Sequence, residues 1–288
     1  MAKYIPLYSG SISDILLCKL TNGECHIIKT YNKAVMTSRQ KKHVESEITI
    51  LATVFHPNIV RYISHADTKL QTILVQEYAP SGDLHDMTIK RGRLDESFVA
   101  NLLALPLLQA INYLHDQSII HRDIKPENVM MFGHVPKLGD FGLAVNTQFH
   151  GAFARVGTLE FMAPEVVSVP FFSTEEYQCY FENKVSLYDH KVDVWSFGIM
   201  IYELLFDNVP DFNLMSHPPT NISPQATSFI LRALVHNPKN RATARELLEH
   251  PWIQKRPPLS LTRKSSSMPE LYDKRSILMR LKNRIIPS

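Results

Sequence analysis

The stretch 192–206, "VDVWSFGIMIYELLF", is apolar nearly all round a helical projection, and a helix without a polar face has to be buried on every side. A chain of 288 residues with 44% hydrophobic content can supply that surround, in one large domain or in two smaller lobes. The rest of the chain divides by pattern. Residues 4–80 are strand-rich with one helix, "TSRQKKHVESEITILATVF", in which Val44, Leu51 and Val54 share a face and Thr37 or Ser38 can cap the start. Beyond residue 94 the chain turns helical. "DESFVANLLALPLLQAINYLH" reads as a long apolar-faced helix with an acidic start, and Pro106 inside it predicts a bend or a local break. "CKLTNGEC" reads as a hairpin whose Asn22-Gly23 turn pairs Cys25 with Leu20. The plan is α+β: a small β-rich lobe, a larger helical lobe, and a cleft between.

Charge and composition narrow the function classes. The net charge of +3 is uneven, with residues 255–288 carrying +7 and the rest −4. "KRPPLSLTRKSSSMPE" has the Pro and Ser content of a flexible linker, and "LYDKRSILMRLKNRII" after it has helical apolar spacing at Leu278, Leu281 and Ile285. The expected organisation is a domain over 4–256, split into lobes 4–79 and 80–256, and a basic tail over 257–288. Three cysteines, Cys18, Cys25 and Cys179, are too few for a disulfide framework. No stretch approaches an uninterrupted membrane span, and "MAKYIPLYSG" lacks the apolar core of a secretory signal, so a cytoplasmic or nuclear protein without a membrane span is expected. One short basic segment is not a nucleic-acid reading fold, so nucleic acid is not an expected partner.

The chemistry concentrates in "IIHRDIKPENVMMFGHVPKLGDFGLA". His121, Arg122, Asp123, Lys125, Glu127 and Asn128 crowd together between apolar segments, and Asp140, Phe141 and Gly142 follow. A mixed-charge loop is usually just solvated, and D-F-G alone is a weak tripeptide; both together, joined by strand-like "VMMF" and "PKL", are specific. On these residues the chain resembles the eukaryotic protein kinases, from residue 4 to about 256. "HRDIKPENVM", "GTLEFMAPE" and "HPWIQK" look most like the calcium/calmodulin-dependent group and shade into Aurora-like families. Phosphoryl transfer asks a protein for an aligned hydroxyl, metal ions over the phosphates and neutralised charge. The resemblance implies that Asp123 orients the substrate hydroxyl and accepts its proton, that Lys125 meets the phosphoryl group and favours Ser or Thr acceptors, and that Asn128 and Asp140 hold two Mg2+ ions. It places Lys29 of "HIIK" on the ATP phosphates with Glu47 as its ion-pair partner. Gln76 becomes the gatekeeper, the backbone of Glu77 and Ala79 faces adenine, and Ile15, Ile27 and Met130 surround the nucleotide.

"YSGSIS" occupies the family's Gly-x-Gly-x-x-Gly, with Gly10 at the second position and Tyr8 and Ser13 replacing the outer glycines. Ile27 adds bulk where the family carries a small alanine. These departures open a second reading, a pseudokinase scaffold with weak or no catalysis; the retained Lys29, Glu47, Asp123, Asn128 and Asp140 favour the active enzyme. By resemblance, Thr158 bonds near Asp123 and Lys125, Glu165 pairs with Arg241, and Asp193 ties the 121–128 loop to the buried helix. Leu51, Tyr62, His121 and Phe141 form a packed column, which makes His121 structural rather than a base. The usual phosphate acceptor, four residues before Thr158, is Ala154, and Thr147 is the only hydroxyl between Asp140 and Thr158, so activity without phosphorylation at 154 is expected. Asp83, Glu127 and Glu203 suggest substrates with Arg two or three residues before the acceptor. The insertion over 166–190, with Phe171, Phe172, Tyr177, Tyr180 and Phe181, is expected to pack over the gap left by the short "PDFNLMSHPPTNIS". In the tail, Arg263 stands three residues before Ser266, an autophosphorylation candidate, and the basic helix after it is a candidate autoinhibitor with calmodulin as a possible partner.

Overall fold

Lys3–Ser9 (β1), Ser13–Lys19 (β2), Cys25–Asn32 (β3), Tyr62–Asp67 (β4) and Gln71–Glu77 (β5) form one antiparallel sheet in the order β1-β2-β3-β5-β4. The structure is a computed structural model that describes residues 2–210 and 220–255. Expectations for the tail, Ser266 included, and for the middle of "PDFNLMSHPPTNIS" lie outside the described residues. Pro6 sits in the edge strand β1, where a missing N–H costs no ladder bond, and the register shifts between Pro6 and Tyr8. The β2–β3 hairpin corrects the expected pairing. Lys19, not Leu20, lies opposite Cys25. The N–H of Gly23 bonds the Leu20 carbonyl at 3.1 Å and that of Leu20 bonds the Glu24 carbonyl at 2.8 Å. With Gly23 at φ +90°, the loop therefore holds three residues rather than two, and the glycine bulge moves the register by one. Cys18 and Cys25 are free thiols.

Helix Ser38–Thr53 (α1) belongs to the same unit, which comprises the chain up to Thr53 and Val60–Ala79. Thr37 caps it: its hydroxyl accepts the Gln40 N–H at 3.2 Å while the Gln40 side chain accepts the Thr37 N–H at 2.8 Å. Val44, Glu47, Ile48, Ile50 and Leu51 line the buried face.

The second unit takes Val54–Ile59 and the chain from Pro80 onward. Leu84–Arg91 (α2) is followed by Glu96–Phe98 (α3), a π-helical stretch Val99–Ala104, and Leu105–Asp116 (α4). The widened turn lies just ahead of Pro106, whose ring displaces the preceding turn and supplies no N–H to it. This run, Glu96–Asp116, is long and apolar enough to cross a membrane by length and composition alone, yet Leu103, Leu107, Leu108, Ile111 and Leu114 are buried inside the unit. Two small antiparallel pairs follow, Ile119–Ile120 (β6) with Val145–Asn146 (β9), and Val129–Phe132 (β7) with Val135–Leu138 (β8). The helices Pro164–Val167 (α5), Thr174–Glu182 (α6), Lys191–Phe206 (α7), Pro224–Ala233 (α8), Ala244–Leu248 (α9) and Pro251–Gln254 (α10) complete it. Buried residues encircle α7, as its composition requires, and at Gly198 a Cβ would come within 2.8 Å of the Ala233 side chain, so the glycine lets the end of α8 pack close.

Segment Val54–Ile59 earns its place in this unit through backbone pairing: the Asn58 side chain donates to the Pro136 carbonyl at 2.9 Å, and the Leu138 N–H donates to the Asn58 carbonyl at 2.8 Å. Glu96 gathers three helices, accepting from the N–H (2.8 Å) and hydroxyl (2.6 Å) of Ser223 ahead of α8 and from the Trp252 indole of α10 at 3.0 Å.

Arg241 is fully buried and fully satisfied. Its two terminal nitrogens donate to Glu165 at 2.6 and 2.9 Å and to the carbonyls of Lys191 (2.9 Å) and His236 (3.2 Å), while Nε donates to the Val235 carbonyl at 2.9 Å. The Trp195 ring covers the guanidinium at 5.0 Å. Removing one partner of such a pair strands a buried charge, which costs about 3–5 kcal/mol. Glu165→Ala is therefore expected to lower the thermal midpoint by roughly 6–20 °C in a unit of this size, and Glu165→Gln, which retains an acceptor, by less. A midpoint unchanged in Glu165→Ala by scanning calorimetry would refute this account of the pair.

Candidate active site

The first unit carries a buried ion pair. Lys29, on β3, places Nζ at 3.0 Å from Oε1 of Glu47 on α1, and Glu47 is 2% exposed. The other carboxylate oxygen accepts the Tyr31 hydroxyl at 2.7 Å. Sequence reasoning missed Tyr31; the signal was available, since residues two apart on a strand share a face and Tyr31 follows Lys29 by two. Ile15 lies opposite Lys29, and Ile27 lies between Leu17 and Gln76 in the sheet. Gln76 is buried, and its side-chain nitrogen has no hydrogen-bond partner among the described residues. The N–H of Glu77 is taken by the Arg61 carbonyl at 3.0 Å and is not available to a base. Ala79, also buried, ends the unit.

The loop between β1 and β2 is closed by the Gly10 N–H on the Ser13 carbonyl at 2.9 Å. Tyr8 folds its ring over Gly10, where a Cβ would meet the tyrosine hydroxyl at 2.5 Å. A side chain at residue 10 would displace the Tyr8 ring, and glycine also permits a close backbone approach to phosphate.

The second unit gathers Asp123, Lys125, Asn128 and Thr158. Oδ1 of Asp123 accepts from the Thr158 N–H (3.1 Å) and hydroxyl (2.8 Å); Oδ2 accepts from Asn128 Nδ2 (2.8 Å) and from Lys125 Nζ (3.1 Å). Lys125 also donates to the Thr158 hydroxyl. Asn128 is fully buried and donates a further bond to the Asp123 carbonyl at 2.7 Å. Both carboxylate oxygens of Asp123 are therefore aimed by fixed donors from the 121–128 loop and from residue 158. Glu165 is not part of this cluster, being committed to Arg241.

Asp193, on α7, holds the loop. Its oxygens accept the N–H groups of His121 (2.9 Å) and Arg122 (2.8 Å), with His115 Nε2 at 2.9 Å. Burial pushes its carboxyl up, but the His115 hydrogen bond and charge, the His121 charge and the His121 N–H outweigh this and hold it below its ordinary value. Arg122 adopts φ +68° and Asp140 φ +56°, left-handed conformations that non-glycine residues take only when their surroundings impose them. His121 is fully buried, with Nε2 3.0 Å from the Gly139 carbonyl and its ring edge-on to Phe141 at 4.9 Å, a packed residue with no exposure for proton transfer. The Gly139 N–H bonds the Asn128 carbonyl at 2.8 Å, so the β7–β8 hairpin brings the residue before Asp140 back to the loop. Met130, half-buried on β7, bridges to Asp83.

Of the three acids singled out for substrate basicity, Glu127 and Glu203 lie close enough to interact, and Asp83 has a separate role. Asp83 caps α2, its Oδ1 accepting the Asp86 N–H at 2.7 Å. Glu203, on α7, is pushed up to about 7 by burial and then by the charges of Glu127 and Asp207, and its Oε2 is buried without a hydrogen-bond partner among the described residues. The aromatic insertion places rings against His150 and Phe153, in the segment after Asp140; its expected packing over residues 211–219 lies outside the described residues. Among the described residues no group of three or more His, Cys, Asp or Glu could hold a metal. The Asn128 carboxamide and Asp140 carboxylate are hard oxygen donors, and they fit Mg2+, which uses one or two protein ligands together with substrate phosphates.

Comparison with known proteins agrees with this geometry. The protein kinase domain family matches residues 6–253. An Aurora kinase of Schizosaccharomyces pombe is 32% identical over 278 residues, covering 91% of this chain and 73% of the relative. Aurora kinase B of Danio rerio is 29% identical over 265 residues, covering 86% and 77%. A protein named as a probable myosin light chain kinase of Dictyostelium discoideum is 34% identical over 249 residues, 80% of this chain, and the chain spans about half (48%) of that relative's length. A match across nearly the whole described chain, carried on a two-unit α+β architecture with an aligned Asp-Lys-Asn-Thr cluster, shows that this chain belongs to the protein kinase family.

Proposed function

We propose that the chain is an ATP- and Mg2+-dependent protein kinase that phosphorylates Ser or Thr hydroxyls preceded by basic residues. The observation that carries the reading is the bonding of Asp123 by Lys125, Asn128 and Thr158. Catalysis of phosphoryl transfer is mostly alignment and charge stabilisation. A carboxylate whose two oxygens are held by four donors has a defined direction from which to accept a hydroxyl proton, and Lys125 beside it brings a cation toward the transferring group. Lys29, oriented by Glu47 and Tyr31, offers a second cation to nucleotide phosphates. Asn128 and Asp140 would hold the metal, which when bound neutralises charge on the phosphate oxygens. Relatives named Aurora kinase and myosin light chain kinase support protein hydroxyls as acceptors.

If Asp123 serves as general base, Asp123→Asn is expected to lower kcat on a Ser peptide by about 10²–10⁴-fold, with the thermal midpoint within a few degrees of the parent. Phosphate transfer from labelled ATP reads this directly. Retention of more than a tenth of the activity would overturn the assignment.

The basic preference is supported by Glu203 and Glu127. A buried carboxyl left without a hydrogen-bond partner and raised to about 7 by burial and like charge is a site waiting for a cation. Below pH 7 Glu203 is protonated and offers a guanidinium no charge; above pH 7 it is ionised, and pairing with arginine pulls its pKa down again, releasing a proton. For a peptide with Arg two or three residues before Ser, KM is expected to rise several-fold between pH 8 and pH 6. A matched Ala peptide should lack the change, and Glu203→Gln should flatten the profile. Identical profiles for the two peptides would exclude Glu203 as the arginine site.

A further inference from the structure

The segment that follows Asp140 is fastened, residue by residue, to the insertion after α5. His150 stacks on Phe181 of α6 at 4.8 Å and 19°. At Gly151 a Cβ would fall 1.8 Å from the Val185 carbonyl oxygen, so the two backbones are in direct contact. Ala152 donates its N–H to the Ser186 hydroxyl at 3.0 Å and accepts the Leu187 N–H at 2.8 Å. Phe153, 2% exposed, lies among the rings of Phe172 (6.0 Å), Tyr177 (4.9 Å) and Tyr180 (5.6 Å). The Ala154 carbonyl accepts the Tyr188 hydroxyl at 2.7 Å.

Tyr188 then connects this segment to the loop that bears Asp123. Its hydroxyl oxygen accepts from Nη1 of Arg122 at 3.3 Å, while Nε of Arg122 donates to the Leu143 carbonyl at 2.6 Å. The guanidinium next to Asp123 thus reaches residue 154 through a neutral hydroxyl, at a position where alanine offers nothing to phosphorylate. Thr147, which bears the only hydroxyl between Asp140 and Thr158, donates instead to the Ser118 carbonyl at 3.0 Å. Helix α6 is locally self-supporting, with Ser173 and Glu176 capping reciprocally at 3.2 and 2.8 Å, so its aromatic face is presented as a unit.

We propose that Tyr188, together with the aromatic face of α6, is a built-in positioning device that holds residues 150–158 in register with Asp123 and takes the place of a phosphate on that segment. The device contains no phosphate, so a phosphatase has nothing to remove, and the arrangement is lost only by loosening Tyr188 or α6. The activity arm of the test rests on the kinase reading above; the exchange arm does not.

The experiment uses the full chain. Wild type, with and without phosphatase treatment, is compared with Tyr188→Phe, which deletes one hydroxyl, and with the double variant Tyr177→Ser and Tyr180→Ser, which opens the ring cluster without touching the core of the unit. Measured are kcat and KM for ATP on a Ser peptide, and backbone hydrogen exchange of residues 150–157 against α7. Expected are phosphatase-insensitive wild-type activity, a kcat at least tenfold lower in both variants with KM for ATP within twofold, and faster exchange confined to 150–157. Wild-type kcat and exchange in both variants, or loss of most wild-type activity on phosphatase treatment, would overturn the proposal. Faster exchange in the variants of a chain that transfers no phosphate in any form would support the fastening and refute the kinase reading.

Discussion

The carboxylate of Asp193 is the interaction on which the second unit's chemistry depends. An isolated buried carboxylate is costly, and it persists here because two backbone N–H groups and a histidine satisfy it. In return it fixes the backbone at His121 and Arg122, where a left-handed residue would otherwise relax. The direction in which Asp123 leaves the chain follows from that, and so does the placement of Arg122 between Leu143 and Tyr188. Since α7 is packed on all sides, Asp193 cannot move without moving the core, and the rigidity of the helix passes to the loop.

Arg241, Glu96, Asp193 and Glu47 have their hydrogen-bonding capacity taken up within their own unit, and each fastens elements together. Gln76 and Glu203 do not, and both lie among residues that the kinase resemblance assigns to nucleotide or substrate. An unfilled buried polar atom is expensive enough to be rare, and the proposed nucleotide and arginine sites would give these two a partner. The same contrast separates two ways of ordering a segment: a charged phosphate requires a free cation to receive it, whereas a cage of rings and a hydroxyl requires only matching shape.

Much of the fold was legible because it rests on local rules. The all-round apolar pattern of α7, the break ahead of Pro106 and the cap at Thr37 follow from residue spacing and backbone chemistry. The hairpin register was misread because Asn-Gly admits both a two-residue turn and a three-residue loop with a glycine bulge, and flanking strand pairing decides between them. In the site, the positions of Lys29, Glu47, Asp123, Asn128 and Thr158 could be named from motifs, but Tyr31 and Tyr188 could not. Tyr31 matters only because α1 puts Glu47 above it, and Tyr188 only because the insertion folds back on residues 150–154.

The sequence by itself determined which segments are strands and helices, which helix must be buried, and which residue types are available for phosphoryl transfer, because periodicity, capping and turn chemistry act over a few residues. Tertiary structure decided which of the available charges are spent. Asp83 becomes a cap, and Glu203 is raised to about 7 beside Glu127. It also decided that an aromatic insertion fastens the segment around Ala154. The reason is physical: the energy of a charge or a hydroxyl depends on burial and on partners supplied from tens of residues away, and no local pattern encodes either.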